Sequence, residues 1–195
     1  MSSRRLFLKS LTAASATLLL PFSLSGLIAT TNKTNILAIG DLASTIVTNN
    51  LSKIPLPKAN IRLLCNPKFV ELLADSGIQQ AELEQLHPGE VFHHNEHYLI
   101  LCDLTYSESA DLAIKAGNYL SQHHIRNAFI TILPFRYQGI TTRQTAEAAL
   151  NILSQQTSCQ PFDLEDLRTH HGDQCFTEAF SQLEQHILQQ ILNKI

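Results

Sequence analysis

Short apolar runs alternate with amphipathic stretches through most of this chain. Continuous apolar runs over residues 35–40, 60–65, 97–102 and 128–133 predict buried strands. Apolar positions at helical spacing predict helices over residues 41–52, 107–124, 141–155 and 174–195, a short helix opening at Asn66, and one or two turns over 81–86. This alternation predicts an α/β fold with three layers around a doubly wound, mostly parallel sheet, forming a single domain over residues 32–195.

The first 31 residues follow a different pattern. Basic residues come first, a moderately apolar stretch follows and small residues come last, which is the order of a secretory signal. The string S-R-R-L-F-L-K over residues 3–9 resembles the twin-arginine (Tat) export motif, with Arg4, Arg5, Phe7 and Leu8 at its defining positions. The resemblance implies that the Tat translocase exports the folded protein to the periplasm or to the outer face of the inner membrane. Cleavage is expected after Ser25 or Ala29, and only an uncleaved leader would attach the protein to the membrane.

Composition narrows the classes of function. The chain carries 14 Lys and Arg against 17 Asp and Glu, and 11 basic residues remain once Arg4, Arg5 and Lys9 of the leader are removed. A nucleic-acid-binding domain would have basic clusters instead, so no nucleic acid is expected as a partner. No G-x-S-x-G elbow or C-x-x-C pair is present, so the sequence does not support a serine hydrolase or a thiol redox enzyme.

The turns after the strands are where a parallel sheet binds its ligands. The first turn, G-D-L-A-S over residues 40–44, contains one glycine, and the second, C-D-L-T-Y-S-E-S over 102–109, contains none. Phosphate-binding turns use several glycines so that backbone N–H groups approach the anion, and Asp41, Asp103 and Glu108 would repel it. Alternatively, the second turn is an ordinary helix start, with Ser107 as its N-cap.

The third turn carries the clearest family resemblance. Its sequence P-F-R-Y-Q-G over residues 134–139, followed by a helix with Arg143 and an Ala-rich face, resembles the FtsZ family of tubulin-like cell-division GTPases. NILAIGDLAS then corresponds to that family's first strand and phosphate loop, and NIRLLCNPKFVELL to its second strand and helix. HYLILCDLTYSESADLA corresponds to the strand carrying its G-G-G-T-G-T-G signature. The resemblance covers residues 35–195 and implies the family's nucleotide-domain fold.

The resemblance also implies a nucleotide site that has become degenerate. If it were retained, it would comprise Gly40, Asp41, Ser44, Thr105, Ser107, Ser109, Gln138 and Arg143. Gly40 alone remains of the first glycine loop, Gln138 replaces the acidic residue that contacts the ribose, and Arg143 lies only near the family's arginine position. The implied function is a non-catalytic binding, structural or accessory domain without a cofactor, acting through an unknown protein partner or by self-association. A weak GTP-binding protein or GTPase is the alternative.

Two surfaces are candidates for such contacts. One is the helix predicted over residues 141–155. The other is the polar face of the terminal helix, which contains Gln182, Gln185, Gln189 and Gln190. A simple solvated face accounts for either surface as well.

Two histidine groups give a second alternative. His93, His94 and His97 lie within five residues, and His170 and His171 lie close to Cys175. Imidazoles are ordinary ligands of Zn or Cu, which makes a periplasmic metal-binding accessory factor a hypothesis. Neither spacing matches a known ligand signature, and solvated loop histidines account for both groups equally well.

The four cysteines divide into two pairs. Cys65 and Cys102 lie in apolar strand-like runs and are predicted to be buried thiols. Cys159 and Cys175 are the one pair to test for a disulfide, because an exported protein permits one.

Overall fold

A parallel sheet of six strands forms the centre of the part of the chain that this computed structural model describes, residues 33–66, 78–82, 87–170 and 175–195. These residues belong to one compact unit, Lys33–Ile195. The strands are β1 (Lys33–Ile39), β2 (Ile61–Cys65), β3 (Gln79–Glu82), β4 (Glu96–Asp103), β5 (Arg126–Leu133) and β6 (Cys159–Asp163). They lie in the order β3-β2-β1-β4-β5-β6, and every neighbouring pair is parallel. The predicted α/β fold class is therefore confirmed.

Helices connect the strands and cover both faces of the sheet. They are α1 (Asp41–Asn49), α2 (Pro88–Val91), α3 (Ser107–Gln122), α4 (Ile140–Gln156), α5 (Glu165–His170) and α6 (Phe176–Lys194). Short 3-10 turns occupy Leu51–Lys53, Lys58–Asn60 and Arg136–Gln138. Within the described ranges, no helix is both long enough and apolar enough to span a bilayer.

Alternate residues of each central strand enter different hydrophobic layers. In β1, Ile36 and Ala38 pack with α1 and α6, whereas Leu37 and Ile39 pack with α3 and α4. Because side chains alternate between the faces of a strand, a sheet covered on both sides needs apolar residues at consecutive positions. This requirement explains the continuous apolar runs in the sequence.

The two edges of the sheet are where the predicted elements were wrong or absent. Residues 81–86 were expected to form helical turns, but Gln79–Glu82 pairs with β2 as strand β3, and residues 83–86 lie outside the described ranges. Strand β6 was not predicted at all. It contains Pro161, which lacks the N–H that a central strand needs.

Pro161 is tolerated because of its place on the outer edge. Ser158 O accepts a bond from Phe129 N–H, and Leu164 N–H donates to Leu133 O, so the even-numbered residues of β6 face β5. The backbone nitrogen of Pro161, which has no hydrogen to donate, therefore points away from the sheet.

The helix predicted to open at Asn66 lies mostly outside the described residues, as does the whole of the predicted leader.

Candidate functional site

The candidate site lies at the edge where the parallel strands end. Gly40 follows β1, Asn66 follows β2 and Leu104 follows β4, so their turns meet at the same edge of the sheet. This is the general position of ligand sites in open α/β sheets. The structure thus brings together the first two turns that the sequence singled out.

Gly40 forms the closest backbone contact at this edge. It adopts φ +96°, a conformation that residues with a side chain rarely adopt, and its N–H donates to Leu64 O at 2.8 Å. A Cβ atom at Gly40 would lie 2.9 Å from Asp103 Cβ and 3.2 Å from Ser109 Oγ. Glycine is therefore needed here so that the first turn can pack directly against the second turn.

Asp103 supplies a buried carboxylate at the N-terminus of α1. The residue is only 2% exposed, its carboxylate accepts the Thr105 N–H at 2.9 Å, and the Leu42 N–H and the Thr105 side chain lie close enough to lower its pKa. Backbone N–H groups at a helix N-terminus are the donors that bind phosphate in nucleotide-binding folds. In this chain, a carboxylate of the protein itself lies close enough to one such donor, the Leu42 N–H of α1, for that group to lower the carboxylate pKa.

A second carboxylate occupies the neighbouring turn. The Oδ1 atom of Asp41 accepts the Asn66 N–H at 2.9 Å. Asp41 also raises the pKa of Asp103 and of the Cys65 thiol, which places its negative charge within electrostatic range of both. Turns 40–44 and 102–109 contain no Lys or Arg that could offset this charge. The charged residues of these two turns are therefore all acidic.

Burial is the main cause that raises the pKa of Asp103, and its hydrogen bonds to Thr105 and Leu42 oppose the shift only in part. The folded protein therefore holds this proton more tightly than the unfolded chain does. As pH rises from the ordinary Asp pKa through the raised value, ionisation of Asp103 lowers the free energy of unfolding.

We expect Asp103→Asn to remove this contribution. In urea unfolding between pH 4 and pH 7, the stability of the natural protein should fall relative to that of the variant as pH increases. Asp111→Asn, which changes an exposed carboxyl on α3, serves as the matched control and should leave the difference constant. Parallel pH profiles for the natural protein and Asp103→Asn would contradict the raised pKa.

Two buried serines lie at the starts of α1 and α3. The Oγ atoms of Ser44 and Ser109 are fully buried, and neither makes a geometrically sound hydrogen bond to a described residue. Ser44 lies near the Cys65 thiol and partly opposes the rise in its pKa, which burial and Asp41 cause. Both serines belong to the predicted site, and the structure places them at the edge formed by the first two turns.

Thr105 and Ser107 have different surroundings. Thr105 takes part in the Asp103 network, whereas Ser107 is exposed and its hydroxyl donates to Glu108 Oε2 at 3.1 Å. Helix α3 begins at Ser107, the N-cap position is Tyr106, and no side chain caps the helix. The alternative prediction that Ser107 is the N-cap is therefore wrong, because Ser107 already lies within the helix and its hydroxyl bonds Glu108 and not a backbone N–H.

Arg143 is held in an internal ion pair. Its guanidinium bonds both oxygens of Asp163 at 2.7 and 2.5 Å, donates to Pro134 O at 2.8 Å and reaches Glu147 at 2.6 Å. Asp163 and Glu147 raise the pKa of Arg143, and the Arg143 guanidinium in turn lowers the pKa of Asp163. The bonds secure the third turn to the end of β6.

The third turn is secured at two further points. The Gln138 side chain accepts the Phe135 N–H at 2.9 Å, so it closes its own turn. The buried carboxylate of Glu165 accepts the Arg136 N–H at 3.1 Å and pairs with Arg168. Gln138 and Arg143 were both predicted as nucleotide contacts. In the structure, their side chains make hydrogen bonds that hold this turn.

Asp163 and Glu165, which bond the third turn, were missed by sequence reasoning. Asp163 ends the unpredicted strand β6 and Glu165 begins α5, and the alternation of polar and apolar residues in β6 is too short to mark a strand. Asp103 was identified only as a repelling charge. The donors that it bonds became visible only in the tertiary structure.

The remaining predicted sites consist of histidines and cysteines. Among the residues the structure describes, no three His, Cys, Asp or Glu side chains converge as a metal site requires, so His93, His94 and His97 are not brought together as a ligand set. The side chain of His170 and all of His171 lie outside the described part. Cys65 and Cys102 are buried thiols as predicted, and Cys159 and Cys175 are free thiols, not a disulfide.

Comparison with known proteins identifies the fold. No protein-family model matches the sequence, and neither does any curated protein. Among solved structures, an empty FtsZ dimer from M. jannaschii matches with a TM-score of 0.60 and 13% identity over 88% of this chain and 55% of that chain. CetZ from Methanosaeta thermophila matches with a TM-score of 0.60 and 14% identity over 82% of this chain and 53% of that chain.

A second FtsZ structure from M. jannaschii gives a TM-score of 0.58 and 15% identity over 91% of this chain and 59% of that chain. The chain therefore spans little more than half the length of these proteins. Their shared α/β fold is that of the FtsZ and tubulin nucleotide-binding domain, and the predicted family resemblance is confirmed at the level of the fold.

Proposed function

We propose that this protein is an exported, non-catalytic domain of the tubulin/FtsZ fold that works by binding a protein, either a partner or a second copy of itself. The observation that carries the proposal is the buried Asp103 carboxylate, which accepts the Thr105 N–H at 2.9 Å and lies directly against Gly40 of the first turn. A phosphate bound here would have to displace this carboxylate, and the negative charge of Asp41 would also repel it. In a buried site, repulsion between like charges costs far more than in water.

An exposed apolar group beside the third turn supports a role in protein binding. Tyr137 is 72% exposed, Ile140 is 76% exposed and Phe176 is 61% exposed. Phe135 stacks on Tyr137 with ring centroids 5.0 Å apart and contacts the Phe176 ring at 6.2 Å. Contiguous exposed apolar side chains are typical of protein interaction sites, where burying them gains hydrophobic free energy.

A nucleotide titration of the full chain tests the proposal. Isothermal calorimetry with GTP and Mg²⁺ should give no saturable heat in the micromolar range, and phosphate release should not exceed that of a protein-free control. Saturable micromolar binding would overturn the proposal. Analytical ultracentrifugation over a range of protein concentrations then separates self-association from binding of a different protein.

Weak GTP binding is the alternative that a specific observation favours. The buried hydroxyls of Ser44 and Ser109 lack geometrically sound partners among the described residues, at the edge where a nucleotide would bind. Buried polar groups normally have partners, and a ligand could supply them. The same titration decides between the two functions.

Export by the Tat translocase is the part of the proposal that rests on the leader. Changing Arg4 and Arg5 together to Lys should abolish transport, because the motif requires the arginine pair. The measurement is the fraction of the protein in the periplasm compared with the cytoplasm, with Lys9→Arg as the matched control outside the pair. Undiminished export of the double variant would contradict the Tat assignment.

A further inference from the structure

The edge of the sheet where the strands begin, here called the amino edge, lies opposite the three turns described above. Its residues are the first residues of the strands, the connections that lead into them and the end of α6. Among the described residues, five Lys or Arg and two Glu lie there: Lys33, Lys53, Lys58, Arg126 and Lys194 against Glu90 and Glu96. Because Lys33 pairs with Glu96 at 3.2 Å, the excess positive charge belongs to the other basic residues.

Arg126 and Lys194 form the centre of this positive charge. Arg126 is aligned with His97 on the neighbouring strand β4, so both side chains lie on the face of the sheet that α1 and α6 cover. Burial, Arg126 and Lys194 lower the pKa of His97, which places both charges within electrostatic range of that residue. Neither Arg126 nor Lys194 makes an ion pair with another described residue. An anion at this edge would therefore be attracted by both.

The other edge of the sheet carries negative charge. Asp41 and Glu108 lie in turns 40–44 and 102–109, which contain no Lys or Arg, and the exposed Asp111 follows on α3. A domain that is positive at one edge and negative at the other is oriented by the field of an anionic surface. Such a surface attracts the amino edge and repels the edge where the strands end.

The chain enters the domain at the amino edge. Lys33 is the first residue of β1, and residues 1–32, which contain the predicted leader, precede it. Residues 30–32 separate Lys33 from the small and apolar residues of that leader, and they span about 10 Å when fully extended. Electrostatic attraction to a charged surface extends over about 8–10 Å at physiological ionic strength. A leader held in the membrane would therefore keep the amino edge within reach of the lipid headgroups.

We propose that the amino edge docks the folded domain on an anionic lipid bilayer, with Lys53, Arg126 and Lys194 facing the phosphate headgroups. Lys53 is exposed and bonds the neutral side chain of Asn50, so its charge is not compensated there. The proposal rests on the leader of the proposed function, which brings the domain to the membrane, and it adds a contact made by the domain itself. In this orientation the third turn and its exposed apolar group point away from the bilayer and are accessible to a protein.

The test is binding of the purified full chain to vesicles of phosphatidylcholine, alone or mixed with phosphatidylglycerol. Arg126→Gln combined with Lys194→Gln should weaken binding to the mixed vesicles about 25-fold, because each Lys or Arg near an anionic surface contributes about fivefold. Lys115→Gln combined with Arg136→Gln is the matched control. It removes the same charge from exposed positions on α3 and in the third turn, and should change the affinity less than about twofold. The leader is identical in all these chains, so its own attraction for lipid cancels in the ratio.

Two further measurements keep the test decisive if the double variant does not fold. Gln122→Lys adds a charge at the exposed end of α3, beside the amino edge, and should strengthen binding to the mixed vesicles about fivefold. Hydrogen exchange in residues 123–127 should be slower on the mixed vesicles than on phosphatidylcholine alone.

Three results would each overturn the proposal. They are equal losses for the double variant and its control, equal exchange on the two kinds of vesicle, and binding of soluble polyglutamate as tight as that of the mixed vesicles. The last result would assign the amino edge to an acidic protein. Vesicle binding of the purified chain does not require transport, so a failure of Tat export is distinguishable from a failure of docking.

Discussion

Gly40→Ala is expected to lower the free energy of unfolding by about 2–4 kcal/mol. Two causes add together at this position. The backbone of Gly40 has φ +96°, which is strained for any residue with a Cβ, and the new methyl group would lie 2.9 Å from Asp103 Cβ. Because Asp103 is buried and bonded by the Thr105 N–H, it has little room to move. Urea unfolding monitored by circular dichroism measures the loss.

Gly139→Ala is the control that separates the two causes. Gly139 also has a positive φ, +124°, but among the described residues a Cβ there would meet only Thr142 Oγ1, at 3.6 Å. Its replacement should cost only the backbone strain, about 1–2 kcal/mol. Equal losses for the two variants would show that the contact between the first and second turns is less tight than described.

Arg143→Met is expected to destabilise the protein by about 2–4 kcal/mol. The Arg143 side chain is 13% exposed and its partner Asp163 is 24% exposed, so the pair is largely shielded from water. Methionine keeps the hydrocarbon stem but leaves Pro134 O without its donor and the Asp163 carboxylate with only the Glu165 N–H. The loss of stability should be accompanied by faster hydrogen exchange in the third turn, residues 134–139.

Arg126→Met provides the comparison for this variant. Arg126 is exposed at the start of β5 and makes no ion pair with another described residue. Its replacement should change the free energy of unfolding by less than about 0.5 kcal/mol. A loss for Arg143→Met as small as that would mean that the ion pair with Asp163 does not hold the third turn in place.

The central strands could be predicted because burial on both faces requires apolar residues at consecutive positions. In β4, both Leu99 and Ile100 are fully buried, one in each hydrophobic layer. Edge strands lack this signal. Only Phe162 is buried among the five residues of β6, and β3 owes its conformation to pairing with β2.

The candidate site was predicted in part for a similar reason. The shortage of glycine and the acidic residues of the first two turns are visible in the sequence, and they argue against a phosphate ligand. Gln138 and Arg143 were assigned to the nucleotide by resemblance alone. Their hydrogen bonds to Phe135 and Asp163 join residues that are local in one case and 20 positions apart in the other.

The sequence by itself determined the α/β class, the order of most strands and helices, and the scarcity of glycine where a phosphate would bind. Those properties depend on local periodicity and residue type, which are readable without coordinates. Only the tertiary structure decided which groups meet at that edge of the sheet. Asp103 accepts the Thr105 N–H, and Gly40 packs directly against it. Such contacts arise when parallel strands align their ends, and pairing between distant segments cannot be deduced from the pattern of one segment.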